Sequence, residues 1–424
     1  MEFVKLMNNK SNLKKTIPVV LSNVFETYDF CLYGVLAPVF AKIFFPANFK
    51  HSLLAAFALF SIAYISRPLG AVLWGQIADK YGRKPVLIGT LAMMAIPAIG
   101  MACVPTYEYI GMTATIIILL LRFLQGLAFG GEFPTVMVVL YELAPDNRKG
   151  FFGSFSGAFA FMGHLIGFLI MTIISSLLIS EQIEAWGWRI PFLLSIVFIF
   201  LIGYIRLSLI ETVPVSSKKI RSPLLLTFKH HWKSMVKVTL YTLAPTCLFF
   251  NFIFYSYVLI QKNHNLVFSA MQIFFIQALL TLYSMILIPC MGYLSDKIGR
   301  VKLTKFAFIM LILFCIPTYY LLLAGKLHYV IMGYIVLGLL VAMVVGPFYA
   351  VIVDQADLNL RVSTIGISYN VAIILGSFTL TINEFFISTL STFIAPALYI
   401  VLCCTISLIT LLTMKNKQKV KSEY

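Results

Sequence analysis

The sequence predicts an all-α membrane protein with twelve transmembrane helices in two six-helix bundles related by a pseudo-two-fold axis. Of its 424 residues, 60% are apolar and only 11% are charged, whereas soluble domains carry roughly 25% charged residues. Long apolar runs recur along the whole chain. A charged loop with the pattern G-x-x-x-D-K-x-G-R begins at Gly75 and again at Gly292. Such a repeat indicates that the protein is built from two related halves.

Apolar runs of about 20 residues, the length that spans a bilayer, define the predicted helices. Their bounds are 17–45, 52–74, 86–105, 112–140, 151–178, 188–209, 235–260, 268–291, 302–324, 328–353, 363–386 and 392–413. The predicted domains are a cytoplasmic N-terminus (1–16), an N-terminal bundle (17–210), a cytoplasmic linker (211–234), a C-terminal bundle (235–413) and a cytoplasmic tail (414–424).

Lysine and arginine residues set the predicted orientation, because cytoplasmic loops carry an excess of them. The chain has 32 basic residues and a formal net charge of +16. Most of these residues fall before the first run, in alternate loops, in the central polar stretch and in the tail. Both termini are therefore expected in the cytoplasm, and the charge is interpreted as a topology signal rather than as a nucleic-acid-binding surface. The first sixteen residues lack an apolar signal core, so the first run is expected to be kept as a helix.

The sequence lacks the patterns of an enzyme or a metalloprotein. It contains no nucleophile elbow or phosphate loop, and its seven cysteines lie in apolar runs without zinc-site spacing. We therefore expect no catalysis, cofactor or metal. Paired halves in a membrane protein are instead typical of secondary transporters. The expected partners are a small-molecule substrate, the proton and the lipid bilayer, with no nucleic acid and with the monomer as the functional unit.

The repeated loop predicts a cytoplasmic gate. Its glycines permit close helix approach, and its Asp can meet a helix N-terminus or an arginine of a neighbouring helix. Such contacts would hold the cytoplasmic helix ends together in one conformation and release them in another. The alternative is a loop that only stops insertion by its positive charge. The predicted gate residues are Gly75, Asp79, Gly82 and Arg83 in the first copy and Gly292, Asp296, Gly299 and Arg300 in the second.

A further acid and arginine in each half extend the predicted gate. One such pair follows the fourth predicted helix, and the other follows the tenth. The expected contacts are Glu142 with Arg83 or Arg148, and Asp354 with Arg300 or Arg361.

At these residues the chain resembles the major facilitator superfamily, whose most specific mark is the repeated loop. The segment Arg122-Phe123-Leu124-Gln125-Gly126 also resembles that family's fourth helix. A narrower resemblance is to its metabolite:proton symporter branch, which includes proline/betaine, 2-oxoglutarate, shikimate and citrate carriers. The matching pieces are Glu26-Thr27-Tyr28-Asp29-Phe30, Arg67-Pro68-Leu69-Gly70, Gly130-Gly131-Glu132-Phe133, Trp186-Gly187-Trp188-Arg189-Ile190-Pro191-Phe192 and Ser368-Tyr369-Asn370.

This resemblance implies the major facilitator fold, alternating access, proton coupling and a place in the bacterial inner membrane. Two features depart from the family pattern. Asp354 stands where the family leads us to expect Glu. The tail lacks the long coiled-coil extension of some osmotically controlled betaine carriers, so direct osmotic regulation is not implied.

Ionisable residues within the predicted spans point to proton coupling, because charge in lipid is costly and usually functional. Three carboxylates, Glu26, Asp29 and Glu132, face two arginines, Arg67 and Arg122. One carboxylate is thus left without a cation and lowers its cost by binding a proton. We expect Asp29 to pair with Arg122 near the substrate, while Glu26 or Glu132 carries the proton and Arg67 sets which of them is charged. The alternative is a set of structural salt bridges.

The substrate is expected to carry a carboxylate, because an arginine at the membrane midplane favours one. The predicted substrate-binding residues are Asp29, Tyr28, Arg122, Asn251, Tyr255, Tyr369 and Asn370. Cation–π contacts from tyrosines favour a zwitterion such as proline or glycine betaine. An organic acid of the 2-oxoglutarate, shikimate or citrate type, or a proton-coupled exporter, is the alternative. Asn383 and Glu384 are expected at an exposed outer rim, and His164 as a packing residue rather than a proton relay.

Overall fold

The computed structural model describes residues 10–81, 83–130, 132–207, 223–262, 268–324, 326–356, 361–390 and 392–414. Over these ranges the chain is helical and forms no strand. Within the described ranges, ten helices are long and apolar enough to cross a membrane. Two shorter apolar helices, Gly89–Cys103 and Gly187–Leu201, coincide with the third and sixth predicted spans. The prediction of twelve spanning helices is confirmed.

We number the spans α1 to α12. The first half contains α1 (Lys10–Ile43), α2 (Ser52–Ile65 and Arg67–Tyr81), α3 (Arg83–Cys103), α4 (Met112–Phe129 and Glu132–Leu143), α5 (Lys149–Leu177) and α6 (Ile190–Leu207). The second half contains α7 (Pro223–Phe250, Asn251–Tyr255 and Ser256–Lys262), α8 (Ala270–Ile298), α9 (Arg300–Leu323), α10 (Leu327–Asp354), α11 (Arg361–Ser377 and Thr379–Leu390) and α12 (Ala395–Leu412).

The spans α2, α7 and α11 are irregular in mid-membrane. The α2 helix is interrupted at Ser66, two residues before Pro68, because proline has no N–H to donate and its ring clashes with the preceding turn. The α7 helix widens into a π turn at Asn251–Tyr255, a feature that is frequent at functional sites. The α11 helix is interrupted after Ser377, whose carbonyl oxygen accepts a 3.0 Å hydrogen bond from Ser61 Oγ on α2.

The two bundles meet along α5 and α8, α5 and α10, α2 and α11, and α4 and α11. The approach of α5 to α8 is closest at Gly150 and Gly292. A Cβ at Gly150 would lie 2.5 Å from Ser295 Oγ, and a Cβ at Gly292 would lie 2.7 Å from the Gly150 carbonyl oxygen. Any larger side chain would push the helices apart, so both glycines are required for the contact.

Four helix ends differ from the predicted bounds by seven residues or more. The α1 helix begins at Lys10, and the α2 helix runs to Tyr81. The α7 helix begins at Pro223, inside the stretch assigned to the linker, and residues 208–222 lie outside the described ranges. The α8 helix continues to Ile298, so Gly292 and Asp296 are helical and only Gly299, with φ at 105°, turns the chain. A positive φ is tolerated by glycine, which explains this residue in the second loop.

Candidate functional site

A cavity of about 60 Å³ lies between the two bundles. By the same measure a single water needs about 10–15 Å³, so the cavity has room for a few waters. Its walls come from α1, α2, α4 and α5 of the first half and from α7, α10 and α11 of the second. The polar side chains that line it are Glu26, Thr27, Arg67, His164 and Thr246, and the aromatic ones include Phe133, Phe161, Phe249, Tyr349 and Tyr369.

An ion pair between Glu26 and Arg67 forms one wall of the cavity. Arg67 Nη2 lies 3.2 Å from Glu26 Oε1, and the two side chains are only 7% and 2% exposed. The guanidinium also lies over the rings of Phe30 and Tyr64, at 4.4 and 4.6 Å from the ring centroids. Removing one partner of a buried pair strands a buried charge, so a change of charge on Glu26 must be balanced at Arg67.

Asp29 lies on an adjacent face of α1, towards the interior of the first bundle. It lines a crevice of about 10 Å³ together with Tyr28, Gln125 and Ser195. Ser195 Oγ donates to Asp29 Oδ1 at 2.8 Å, and the Gln125 amide donates to Asp29 Oδ2. The Tyr28 hydroxyl donates to the Pro191 carbonyl oxygen at 3.0 Å. In this conformation Asp29 and Tyr28 therefore do not line the central cavity, contrary to the expectation of a substrate contact.

Gln125 stands between Asp29 and Arg122. Its amide nitrogen donates to Asp29, and its oxygen accepts from Arg122 Nη1. The expected direct contact between Asp29 and Arg122 is therefore replaced by a chain through one neutral side chain. The Arg122 guanidinium lies 4.3 Å from the Tyr33 ring centroid and 4.9 Å from that of Phe30. It is only 2% exposed and does not line the cavity between the bundles.

Phe30 connects the two arginines. Its ring lies under Arg67 at 4.4 Å and under Arg122 at 4.9 Å. Because it follows Asp29 on α1 and lies one helical turn beyond Glu26, a single helix carries both carboxylates and the ring shared by both cations. The side chain of Glu132, the third predicted carboxylate, lies outside the described part of the structure.

His164 lines the cavity from α5. Its Nδ1 lies 2.7 Å from the Ala160 carbonyl oxygen, which can only accept, so Nδ1 carries the proton. The ring packs edge-on between Phe249 at 5.1 Å and Phe254 at 5.6 Å. The expected packing contacts are present, and the ring also faces the cavity.

A polar network fills the second bundle around the π turn of α7. Asn251 Oδ1 accepts from Asn383 Nδ2 at 2.7 Å and from the Tyr319 hydroxyl at 3.2 Å. The Tyr255 hydroxyl donates to Glu384 Oε2 at 3.1 Å. Asn383 is fully buried and Glu384 is half-buried, so the expectation of an exposed outer rim is wrong. The outer segment of α11 packs on α2 and on the π turn of α7, contacts that the apolar pattern did not reveal.

The last two predicted substrate contacts lie on α11. Tyr369 lines the cavity and stacks on Phe133 at 5.3 Å between ring centroids. Asn370 instead donates to the Gly130 carbonyl oxygen of α4 at 3.0 Å. Among the described residues predicted to bind substrate, only Tyr369 lines the central cavity, while Arg122, Asn251, Tyr255 and Asn370 hold helices together around it.

The second copy of the repeated loop joins the two halves on the predicted cytoplasmic side. Asp296 of α8 accepts from the backbone N–H groups of Gly150 and Phe151, both at 2.8 Å, at the first turn of α5. Arg300 donates to Asp296 Oδ1 through Nε and Nη2, each at 3.0 Å. Asp296 therefore caps a helix of the other bundle, where the helix dipole favours a negative charge. We call this set of contacts the cytoplasmic clasp. Its residues are Gly150, Phe151, Asp296, Arg300, Tyr141, Glu142, Asp354 and Arg361.

Three more contacts complete the clasp, and two of them join the halves. Arg300 Nη1 reaches Asp354 Oδ2 at 3.1 Å, and Asp354 also accepts from the Tyr141 hydroxyl of α4. Arg361 of α11 reaches Glu142 of α4 at 2.8 Å.

The predicted contact of Asp354 with Arg300 is confirmed. Glu142, expected to meet Arg83 or Arg148, binds Arg361 of the other half. In the first loop, Gly75 belongs to the helix Arg67–Tyr81, whereas Gly82 and the side chains of Asp79 and Arg83 lie outside the described part of the structure. Arg148 belongs to the 3₁₀ turn Asp146–Arg148 that leads into α5.

Contacts on the other side of the cavity also join the bundles. The Tyr257 hydroxyl of α7 donates to the Val35 carbonyl oxygen of α1, and Ser61 of α2 donates to the α11 break as described above. A Cβ at Gly34 would lie 2.4 Å from the Phe254 ring, so α1 and α7 are in direct contact. The cavity is therefore enclosed by contacts between the halves on both sides.

Residues 27–381 match the sequence profile of the Major Facilitator Superfamily. The chain belongs to this superfamily. It is 28% identical to the glycine betaine/proline/ectoine/pipecolic acid transporter OusA of Dickeya dadantii, over 95% of this chain and 83% of the relative. It is 30% identical to the shikimate transporter of Escherichia coli, over 93% of each chain. The protein is thus a multi-pass membrane transporter and not an enzyme.

Solved structures of the superfamily share the fold. The xylose transporter XylE of Escherichia coli, in a partially occluded inward-open conformation, superimposes with a TM-score of 0.75 over 97% of this chain and 99% of its own. The sequence identity is 14%, so this likeness supports the architecture of two six-helix bundles and says nothing about the substrate.

Three residues of the charge clusters were not predicted from the sequence, namely Gln125, Ser195 and Phe30. Gln125 could have been found, since it lies three residues after Arg122 and such spacing places two side chains on one helix face. Ser195 could not, because only the packing of α6 against α1 brings it to Asp29.

Proposed function

We propose that the protein is a proton-coupled symporter of a small carboxylate-bearing metabolite, and that this metabolite is a zwitterionic osmolyte of the proline or glycine betaine type. The observation that carries the proposal is the buried Glu26–Arg67 ion pair on the wall of a cavity between the bundles. An arginine there is the natural partner of a substrate carboxylate. Glu26 already neutralises Arg67 in this structure, so the substrate carboxylate and the Glu26 carboxylate compete for one cation.

This competition couples substrate to proton. When a substrate carboxylate takes Arg67, a charged Glu26 would be left buried beside a second anion, which is costly. A proton on Glu26 removes that cost, so the loaded site holds one substrate and one proton together. Asp29 is the second proposed proton-binding carboxylate, since it is held by the neutral donors Ser195 and Gln125. Glu132 and Arg67 complete the proposed coupling set.

The walls of the cavity favour a zwitterion over a polycarboxylate. Among the described residues that line it, Arg67 is the only lysine or arginine, so a second or third carboxylate would find no fixed cation. The aromatic rings around it, such as Phe249, Tyr349 and Tyr369, suit a quaternary or secondary ammonium by cation–π contact. The relatedness to OusA supports the same substrate class. A monocarboxylic acid of the shikimate type is the runner-up, because a shikimate transporter is equally related.

Three further features belong to the proposal. The basic loops place both termini in the cytoplasm by the positive-inside rule. The membrane is the bacterial inner membrane, and the working unit is the monomer, because both bundles of a single chain enclose the cavity.

Uptake into proteoliposomes under an imposed pH gradient tests the proposal. Radiolabelled proline, glycine betaine, shikimate, 2-oxoglutarate and citrate are supplied outside, with the lumen alkaline. We expect accumulation of a zwitterion that collapses when a protonophore is added. Uptake of citrate or 2-oxoglutarate alone would contradict the assigned class, and efflux against the gradient would identify an exporter.

The variant Glu26→Gln isolates the coupling step. Because the Gln side chain mimics a permanently protonated Glu26, we expect accumulation driven by the pH gradient to disappear while exchange of labelled for unlabelled substrate continues. The matched control is Glu108→Gln, an exposed carboxylate in the short helix Tyr107–Ile110, which should behave like the wild type. Full accumulation by Glu26→Gln would remove Glu26 from the mechanism.

A further inference from the structure

The second bundle contains its own membrane-embedded carboxylate, Glu384, in the outer segment of α11 (Thr379–Leu390). Six residues separate it from the end of that helix, which places it about 9 Å below the outer end at ~1.5 Å per residue. Its Oε2 accepts from the Tyr255 hydroxyl at 3.1 Å. A carboxylate at such depth is costly and marks a functional position by default, yet the central cavity and the clasp do not use it.

Glu384 and Tyr255 lie where the two bundles meet. The Tyr255 ring contacts Phe57 of α2 in the first bundle, with 6.2 Å between ring centroids. The outer segment of α11 also packs on α2 and on the π turn of α7. These contacts are among those that join the bundles on the side of the cavity opposite the clasp. Separation of the bundles on that side would uncover the carboxylate and the phenol ring together.

The two irregular helices hold this position rigidly. Tyr255 is the last residue of the π turn, and Asn251 at its start is tied to Asn383, the neighbour of Glu384, at 2.7 Å. Two bonds thus connect the π turn to the outer segment of α11. A rigid carboxylate beside aromatic rings is the chemistry that recognises an ammonium group, by charge and by cation–π attraction.

We propose that Glu384 and Tyr255 form an outer subsite that binds the cationic group of the substrate before the central cavity does. The inference rests on the proposed zwitterionic substrate and deepens it. In the cavity Arg67 takes the carboxylate, and the described residues lining it offer no acid other than Glu26. The anionic partner for the ammonium end is therefore supplied by Glu384, at the outer opening.

Choline is the probe that isolates this subsite, because it carries a quaternary ammonium but no carboxylate for Arg67. In proteoliposomes under a pH gradient, external choline is expected to inhibit uptake of labelled glycine betaine competitively. Glu384→Gln is expected to weaken choline inhibition at least tenfold and to raise the KM for glycine betaine about fivefold, with kcat within twofold. Tyr255→Phe should show a smaller loss, because it retains the ring.

Two controls separate recognition from structure. Glu181→Gln removes an exposed carboxylate in the short helix Ser180–Ala185 and should leave KM and choline inhibition unchanged. Glu384→Asp keeps the charge and should retain choline inhibition. Glu384→Gln and Glu384→Asp should both elute as the wild type does on size-exclusion chromatography. Absence of choline inhibition in the wild type, equal inhibition in Glu384→Gln, or a fall in kcat at unchanged KM would each overturn the subsite.

These measurements distinguish failure of the proposed function from failure of the proposed subsite. If the wild type accumulates only an organic acid, the zwitterion proposal falls, and choline inhibition of that uptake still decides the subsite. Inhibition that depends on Glu384 would then support a cation subsite, and its absence would overturn it.

Discussion

The variant Asp296→Asn should open the cytoplasmic clasp. In the wild type the carboxylate caps the first turn of α5 through the N–H groups of Gly150 and Phe151, each at 2.8 Å, and receives Arg300 at 3.0 Å. An asparagine keeps the shape and one acceptor but removes the charge. Loss of the charge at a helix N-terminus costs about 1 kcal/mol, and loss of charge assistance in the Arg300 bonds costs about another 1 kcal/mol.

Together these losses, about 2 kcal/mol, correspond to a roughly 30-fold shift toward the open cytoplasmic side. The figure is lower than that for a fully broken buried pair, about 3–5 kcal/mol, because Arg300 retains Asp354 at 3.1 Å. The cap bonds come from backbone groups, so a reporter side chain can be placed at Phe151 without removing them.

A single cysteine at that position, Phe151→Cys in a cysteine-free background, reports the opening. In inside-out vesicles a membrane-impermeant maleimide should label it up to about 30-fold faster when Asp296→Asn is added. Asp146→Asn is the control, since Asp146 is an exposed acid in the same connection and pairs with Lys149 at 2.8 Å. Labelling that rises less than threefold, or equally with Asp146→Asn, would refute the clasp as an energetic element.

Two further predictions concern the close approach of α5 to α8 and the Gln125 amide between Asp29 and Arg122. Gly150→Ala should also speed that labelling, because its Cβ would lie 2.5 Å from Ser295 Oγ, whereas Gly366→Ala, with its Cβ 3.8 Å from Pro134, should not. Gln125→Leu should separate Asp29 from Arg122, so we expect the pH optimum of uptake to shift while substrate exchange persists; an unchanged pH profile would mean that the amide only packs.

The architecture was predictable from the sequence because it depends on local composition. Apolar length decides how many helices span a membrane, and the repeated loop marked both the duplication and the clasp. The contact of Asp354 with Arg300 followed from the same reasoning, since the two residues had to meet at one membrane face. The Glu142–Arg361 contact did not follow, because the sequence does not state which helix ends of opposite halves are neighbours.

The candidate site was harder to predict, because a helix has two faces within the membrane. Glu26 and Asp29 are three residues apart, a spacing that makes side chains neighbours on a helix surface, yet Glu26 lines the central cavity and Asp29 the crevice inside the first bundle. A rotation of three residues on an α-helix is about 300°, or 60° from alignment, which is enough to separate the two environments. Glu384 was misplaced because its burial depends on the packing of the outer α11 segment against α2 and α7, which the sequence does not state.

The ring of Phe30 has a consequence for how such a carrier can evolve. Since one side chain neighbours both buried guanidinium groups, α1 cannot turn or tilt without changing the surroundings of each cation at once. Under the proposed mechanism, selection for a new solute at Arg67 therefore also acts on the ion that drives its uptake, and a change of driving ion carries over to the solute. Substitutions at position 30 are where these two specificities could be separated.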